Sequence, residues 1–265
     1  MTDMFQTIEA SDPALEKENL RCVTVKSPAL RGRGDVTLWV PPSQTIDTVL
    51  ILLHGVYNSH WAWSHKGGVH RVAQALLDAG EISPMVIAMP SDGLDRDGSA
   101  YLTFPSGQDV EKWIVDEVPA IAHLAAPSLH SNAKIAIGGF SMGGYGALRL
   151  GAKFPHRFNS VSAHSAITDI HEMANFVAQP LSEYLACAPI EELSAIYWIR
   201  KHCGHLPRLR FDCGVDDLLV EGNRALHAAM EVEGISHIYE EFSGGHEWPY
   251  WQKHVASTLR FASQD

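Results

Sequence analysis

Residues 135–148 read Ile-Ala-Ile-Gly-Gly-Phe-Ser-Met-Gly-Gly-Tyr-Gly-Ala-Leu, and no other stretch restricts the fold as tightly. A β-branched run ends just before Gly139-Phe140-Ser141-Met142-Gly143, and a helix rich in small residues begins inside it. A G-x-S-x-G turn between a strand and a helix lifts a serine hydroxyl above the edge of a sheet. The serine then takes unfavourable backbone angles, and side chains two residues to either side would collide across the turn. Gly143, Gly144, Gly146 and Ala147 let the following helix lie against the sheet. Its N-terminus faces the serine and favours negative charge developing there.

The rest of the chain agrees with such a turn. Thr48–Leu53 (TVLILL) is a continuous apolar run, the pattern of a strand buried on both faces of a parallel sheet. Similar runs recur at Met85–Met89, at Ile135–Ile137 and around Phe158–Ser162, and Leu209–Asp212 and His237–Phe242 are two later strand candidates. Helical patterns separate them. Val110, Trp113, Ile114, Val118 and Ile121 share a face, with Pro119 expected to kink that helix. Met142–Phe154 is stopped by Pro155, Leu218–Glu233 by Gly234, and Trp251, Val255 and Leu259 mark a last helix. Before these come two short strands, Cys22–Lys26 and Val36–Val40, around a turn at Arg31-Gly32-Arg33-Gly34, and a polar opening read as a loose arm to about Asn19. The fold class is α/β, a mostly parallel central sheet with helices on both faces, whose ligands bind beyond the carboxyl ends of the strands. Residues 1–265 read as one domain, and 167–205, with broken helical pieces, as a cap-like insertion over the sheet edge.

Composition narrows the partners. A net charge of −11 argues against nucleic acid or an anionic membrane surface. The longest clean apolar run, Val49–Leu53, cannot span a bilayer. Cys22, Cys187, Cys203 and Cys213 form no framework, which fits reduced thiols. The first twenty residues are acidic without an apolar core, so no secretory signal is read there and a cytoplasmic location is expected.

A serine hydroxyl needs a base, and the base an orienting carboxylate; in sheets built around this turn they follow in the order serine, acid, histidine. Phe211-Asp212-Cys213-Gly214-Val215-Asp216-Asp217 runs from a strand end into a helix and offers three carboxylates, among which Asp212, Asp216 and Asp217 stay open at this point. Phe242-Ser243-Gly244-Gly245-His246 is another strand end, with two glycines before a histidine, and His246 is the expected base. Leu52-Leu53-His54-Gly55-Val56 closes the first buried strand, so the backbone N–H groups of Val56 and Met142 are the expected donors to a tetrahedral oxyanion. His54 reads as structural. Tyr57, Trp61, Trp63 and Trp248, with Tyr250 and Trp251, flank these loops and are candidate pocket walls. His60, His65 and His70, the run His202-Cys203-Gly204-His205, and Asp92, Asp95 and Asp97 match no metal-ligand spacing well enough to count as sites.

Leu-Leu-His-Gly at 52–55, Gly-Phe-Ser-Met-Gly-Gly-Tyr-Gly-Ala-Leu at 139–148, Cys-Gly-Val-Asp-Asp at 213–217 and Gly-Gly-His-Glu-Trp at 244–248 together resemble the esterase D branch of the α/β-hydrolases. The resemblance runs from about Val36 to Phe261. It implies that the second acidic residue of Gly-x-Asp-Asp, Asp217, is the acid, and it supports Val56 as an oxyanion donor. The S-formylglutathione hydrolases of that branch usually carry histidine before the nucleophile, where this chain has Phe140. The expectation is therefore a serine carboxylic-ester hydrolase acting through a covalent acyl-enzyme on small short-acyl esters, without metal or cofactor. S-formylglutathione hydrolysis or acyl transfer by the same residues is the alternative. An inactive binding protein is disfavoured because Ser141, Asp217 and His246 are all present.

Overall fold

Strand β4 (Ile46–Leu53) shows why the TVLILL run must be apolar throughout. Val49, Ile51 and Leu53 point into one hydrophobic layer, Leu50 and Leu52 into the other, and all five are buried. The computed structural model, which describes residues 4–264, builds a nine-stranded sheet around this strand. The other strands are β1 (Ile8–Ala10), β2 (Leu20–Ser27), β3 (Gly32–Trp39), β5 (Val86–Pro90), β6 (Leu129–Phe140), β7 (Ser160–His164), β8 (Arg208–Gly214) and β9 (Ile238–Phe242). Their order is β1-β2-β3-β5-β4-β6-β7-β8-β9. The pairs from β1 through β3 to β5 are antiparallel, and every pair from β5 to β9 is parallel.

Helices cover both faces. The helical segments are α1 (Val69–Asp78), α2 (Val110–Lys112), α3 (Val118–Ala125), α4 (Met142–Lys153), α5 (Leu181–Leu185), α6 (Ala195–Lys201), α7 (Val220–Val232) and α8 (Trp248–Ser263). Val69, Ala73 and Leu76 of α1, with Trp251, Val255 and Leu259 of α8, pack on the face of Leu50 and Leu52. α2, α3, α4, α6 and α7 send their apolar residues into the opposite layer, among them Val110, Ile121, Leu148, Ile199 and Met230. Among the described residues no helix is long and apolar enough to cross a membrane.

Two local expectations are corrected. The opening segment holds an edge strand: β1 pairs with β2 through Ile8↔Val25 and Ala10↔Val23. Its residues are exposed, so it carries no apolar pattern to betray it. The turn before β3 lies at residues 28–31, and Gly32-Arg33-Gly34 already belongs to the strand. Gly34 is there for space, since a Cβ would lie 2.5 Å from the Trp113 ring. The helix containing Pro119 runs from α2 to α3 through a wider turn at Trp113–Glu117. The Val115 carbonyl, which an N–H at position 119 would otherwise reach, accepts instead from Arg157 at 2.9 Å.

Register sets up the functional edge. Leu53 pairs with Gly139, Phe140 with His164, His164 with Asp212, and Gly214 with Phe242. The carboxyl ends of β4, β6, β7, β8 and β9 are therefore nearly flush, and the loops that leave them meet above one edge.

Candidate active site

Ser141 sits between β6 and α4 with φ 56° and ψ −122°, a conformation an L-residue holds only when its surroundings force it. Its N–H donates to the His164 carbonyl (3.0 Å), while its own carbonyl accepts from Tyr145 (3.1 Å) and Ile167 (3.2 Å). A Cβ at Gly139 would overlap the Gly143 carbonyl, and one at Gly143 would overlap the Leu53 carbonyl. Both glycines are thus required by close backbone approach, and the turn cannot relax without separating β4, β6 and α4.

The loops after β8 and β9 are tied to each other. Val215 N–H donates to the Phe242 carbonyl (2.9 Å) and Asp216 N–H to that of Gly244 (3.0 Å). This brings Asp217 under His246. His246 Nδ1 lies 3.1 and 3.0 Å from the two Asp217 carboxylate oxygens, and its Nε2 lies 2.9 Å from Ser141 Oγ. The Asp217 carboxylate is buried and also accepts the Leu219 N–H at 2.9 Å, which fixes its plane. The other two carboxylates of that loop are elsewhere. Asp216 is exposed, and Asp212 lies inside the sheet, bonded to His164, Arg210 and the Tyr250 hydroxyl. Burial pushes the Asp212 carboxyl up, but His164, Arg210 and Tyr250 outweigh it and hold it at about 2.

Val56 and Met142 converge beside the serine. A Cβ placed on Gly98 would lie 2.5 Å from Met142 Sδ and 3.1 Å from Val56 Cγ1, so both side chains flank that glycine. Met142 is the first residue of α4, where an N–H has no carbonyl within the helix to reach. Among the described residues no backbone carbonyl takes the Val56 N–H. Asn58 Nδ2 donates to the Val56 carbonyl (2.7 Å) and steadies the loop. His54 is buried below, its Nδ1 2.7 Å from the Gly55 carbonyl and its Nε2 3.7 Å from Asp92, with its own carbonyl accepting from the Tyr101 hydroxyl.

A cleft of about 360 Å³ opens over Ser141 and His246, walled by Gly55, Val56, Asn58, Phe140, Phe176, Trp248 and Trp251. Of the aromatic residues picked out from the sequence, Trp248 and Trp251 line it. Trp63 is buried behind Phe140 (ring centroids 5.1 Å apart), with its indole N–H on the Leu53 carbonyl. Tyr57 and Trp61 do not line it; they are 65% and 43% exposed, and the Tyr57 hydroxyl donates to Asp97. Phe140 stacks on Trp251 at 4.2 Å and touches Trp248 at 4.9 Å, giving one wall of the cleft a continuous aromatic surface. Phe176, 5.3 Å from the His246 ring, forms the facing side. Sequence reasoning missed Phe176 and Asn58, because neither lies in a motif and Phe176 belongs to an irregular stretch without periodicity. The histidines set aside earlier do not converge: His60 meets Thr37, His65 meets Ser64, and His70 meets Glu18.

The family model described as "Putative esterase" matches residues 27–262. An acetyl esterase of Caldicellulosiruptor saccharolyticus is 27% identical over 231 residues, covering 81% of this chain and 83% of its own. Among solved structures, a ferulic acid esterase superposes with a TM-score of 0.77 at 27% identity, each chain covered to 98%. An S-formylglutathione hydrolase from Staphylococcus aureus superposes at 0.78 with 19% identity, over 98% of this chain and 100% of its own, a likeness of fold. With the family model spanning nearly the whole chain and the sheet topology agreeing, this protein belongs to the putative esterase family of the α/β-hydrolases.

Proposed function

We propose that this esterase hydrolyses small carboxylic esters through a covalent acyl-enzyme, with Ser141 as nucleophile, His246 as general base and Asp217 as the orienting acid. The observation that carries the reading is the unbroken relay of Ser141 Oγ, His246 Nε2 at 2.9 Å, and His246 Nδ1 on a buried carboxylate at 3.0 Å. A carboxylate at Nδ1 keeps the proton on that nitrogen and leaves the Nε2 lone pair facing the serine hydroxyl. Ser141 Oγ then attacks the ester carbon while its proton passes to Nε2. The charge that appears on the former carbonyl oxygen is stabilised by the Val56 and Met142 N–H groups and by the N-terminus of α4. Nε2 returns the proton to the leaving alcohol. Water entering in its place gives a proton to the same nitrogen, attacks the acyl-enzyme and releases the acid. No step calls on a metal or cofactor.

The substrate reading rests on the cleft. Phe140, Phe176, Trp248 and Trp251 make an apolar slot of limited volume, suited to a short acyl group. Acetyl to butyryl esters are the proposed substrates, in a cytoplasmic setting. Thioester hydrolysis by the same residues is the weaker reading, because Phe140 offers an aromatic wall where that subgroup usually has histidine. A fluorophosphonate probe should label wild type stoichiometrically and leave Ser141→Ala unlabelled. The kcat/KM series for p-nitrophenyl esters from C2 to C12 should then fall steeply beyond C4. A profile that rises past C8 would exclude the short-acyl reading while leaving the labelling result intact.

A further inference from the structure

At the opposite end of β9 from His246 lies a second cluster whose chemistry the esterase reaction does not use. His227 and Glu231 stand four residues apart on α7, hence on one face of the helix, and His237 occupies the last position before β9. One donor atom from each of the three lies within 4.8 Å of the others. We infer that His227, Glu231 and His237 form a binding site for a divalent transition ion of the zinc class, one that staples α7 to the start of β9.

The two imidazoles are already arranged for it. His237 Nδ1–H donates to the Ile235 carbonyl at 2.7 Å, so its Nε2 carries a lone pair. That lone pair points at His227 Nδ1, 2.8 Å away, which in the ion-free protein supplies the proton between them. When the neutral His227 ring instead carries its proton on Nε2, two nitrogen lone pairs face the same point and no proton is gained or lost overall. A metal-bound histidine whose other nitrogen donates to a backbone carbonyl is the usual outer arrangement of such sites, and His237 has it. Both rings are held from behind: His227 stacks on Tyr239 at 4.7 Å and His237 on Phe211 at 5.7 Å. Glu231 is exposed and free to swing, so it can close the third position.

The required movements are small. Tetrahedral zinc with bonds of roughly 2.0–2.1 Å holds its ligand atoms roughly 3.3 Å apart. The two nitrogens must separate slightly and the Glu231 carboxylate must come in, both within rotamer adjustment. Two imidazoles and one carboxylate suit zinc, nickel or copper, whereas calcium and magnesium favour all-oxygen shells. The half-exposed setting leaves a fourth position for water. The consequence is mechanical. β8 and α7 flank the Asp217 loop, and β9 leads to His246, so an ion here braces the two segments that carry acid and base without touching either.

The test uses the full-length wild-type protein stripped with EDTA, then titrated with Zn²⁺. Calorimetry should find one ion per chain, and melting with free Zn²⁺ about a hundredfold above its dissociation constant should raise Tm by about 5 °C. Ca²⁺ and Mg²⁺ should leave Tm unchanged. Glu231→Gln, an exposed change that leaves the fold alone, should weaken Zn²⁺ binding about tenfold or more, and His237→Gln should abolish the shift relative to its own ion-free Tm. Wild type without a Zn²⁺-dependent shift, a shift retained in the His227→Ala/His237→Gln double variant, or an equal response to Ca²⁺ would each overturn the site. None of these readouts depends on ester hydrolysis, so the result stands or falls apart from the proposed reaction.

Discussion

Two of the histidine–aspartate pairs among the described residues have nearly the same geometry, one on the loops after β8 and β9 and the other inside the sheet on β7 and β8. In the upper pair His246 Nδ1 sits 3.0 Å from Asp217, and in the lower one His164 Nδ1 sits 2.8 Å from Asp212. What separates them is the other imidazole nitrogen. His246 Nε2 faces the Ser141 hydroxyl at the floor of an open cleft, whereas His164 Nε2 faces Thr258 Oγ1 at 2.7 Å in the sealed interior. The lower pair is further enclosed by Arg210, which bonds Asp212 at 2.7 Å, and by the Tyr250 hydroxyl at 2.8 Å. A carboxylate on a histidine is thus no mark of catalysis. In the proposed reaction the difference lies in whether the second nitrogen meets a hydroxyl that opens onto a cleft.

The sharpest way to break the comparison is to remove the reactive ends. Ser141→Ala and His246→Ala should each lower kcat by roughly 10⁵-fold, with far-ultraviolet circular dichroism and Tm close to wild type. Removing Ser141 also removes a polar group from a strained turn, so no loss of stability is expected from it. Activity within tenfold of wild type in either variant would show that chemistry occurs elsewhere.

The two aspartates should then separate by kind of damage. Asp217→Asn should lower kcat by about 10⁴-fold, because an amide can leave the imidazole in the wrong tautomer, and should change stability little. Asp212→Asn should cost roughly 3–5 kcal/mol of stability, since Arg210 loses its buried counter-charge, while the folded fraction keeps near-normal kcat. Asp216→Asn, an exposed change, should alter neither. Urea melts beside active-site-titrated kcat values decide it, and a crippled but stable Asp216→Asn would move the acid assignment by one residue.

The fold class, the turn at Ser141 and the loops bearing Asp217 and His246 were legible in the sequence because each leaves a local trace. Continuous apolar runs mark strands buried on both sides, and glycines mark backbones that touch. The choice among Asp212, Asp216 and Asp217 was not local. It depends on strand register, which buries Asp212 beside His164, and on the pairing of the loops after β8 and β9. Only the family resemblance pointed to Asp217. Phe176 was illegible for the same reason, since its place over His246 is set by packing of an irregular segment. Trp63 gives way to Phe140 as a wall of the cleft because its helical turn folds back beneath the site, with its indole N–H on the Leu53 carbonyl and its ring behind Phe140. The paired imidazoles of His227 and His237 also escaped notice, being ten residues apart and joined only by the return of the chain from α7 into β9.

Acid should distinguish the pairs again, more gently. The Asp212 carboxyl is held at about 2 in the folded protein, below the roughly 3.9 of an unfolded aspartate. A depressed value stabilises the fold above the unfolded pKa, and that contribution is lost as pH falls from about 4 towards about 2. The loss should be on the order of 2 kcal/mol in wild type and absent from the pH slope of Asp212→Asn. Urea melts from pH 5 down to 2.5 measure both slopes, and parallel slopes would mean that the lower pair carries no net charge coupling.

The smallest effect concerns what covers each imidazole. His164 has Trp63 beside it at 6.4 Å inside the core, whereas His246 has Phe176 at 5.3 Å on the solvent side. Phe176 is held by its own segment: Ala178 N–H donates to Asp97 at 2.7 Å, and Asp97 also accepts the Tyr57 hydroxyl at 2.9 Å. Shortening the side chain should therefore open the cleft without releasing the segment. In Phe176→Ala, the space vacated lies along the acyl slot, so longer chains should gain while acetyl esters, already housed, should not. Each methylene newly buried is worth about 0.8 kcal/mol, or roughly fourfold in kcat/KM. Comparing C2, C4, C6 and C8 p-nitrophenyl esters, the ratio of variant to wild type should climb by about that factor per methylene beyond C4 until the new space is filled. A uniform fall across the series would mean that Phe176 positions His246 and does not bound the acyl pocket, and an unchanged series would place the acyl group on the Trp248 side of the cleft.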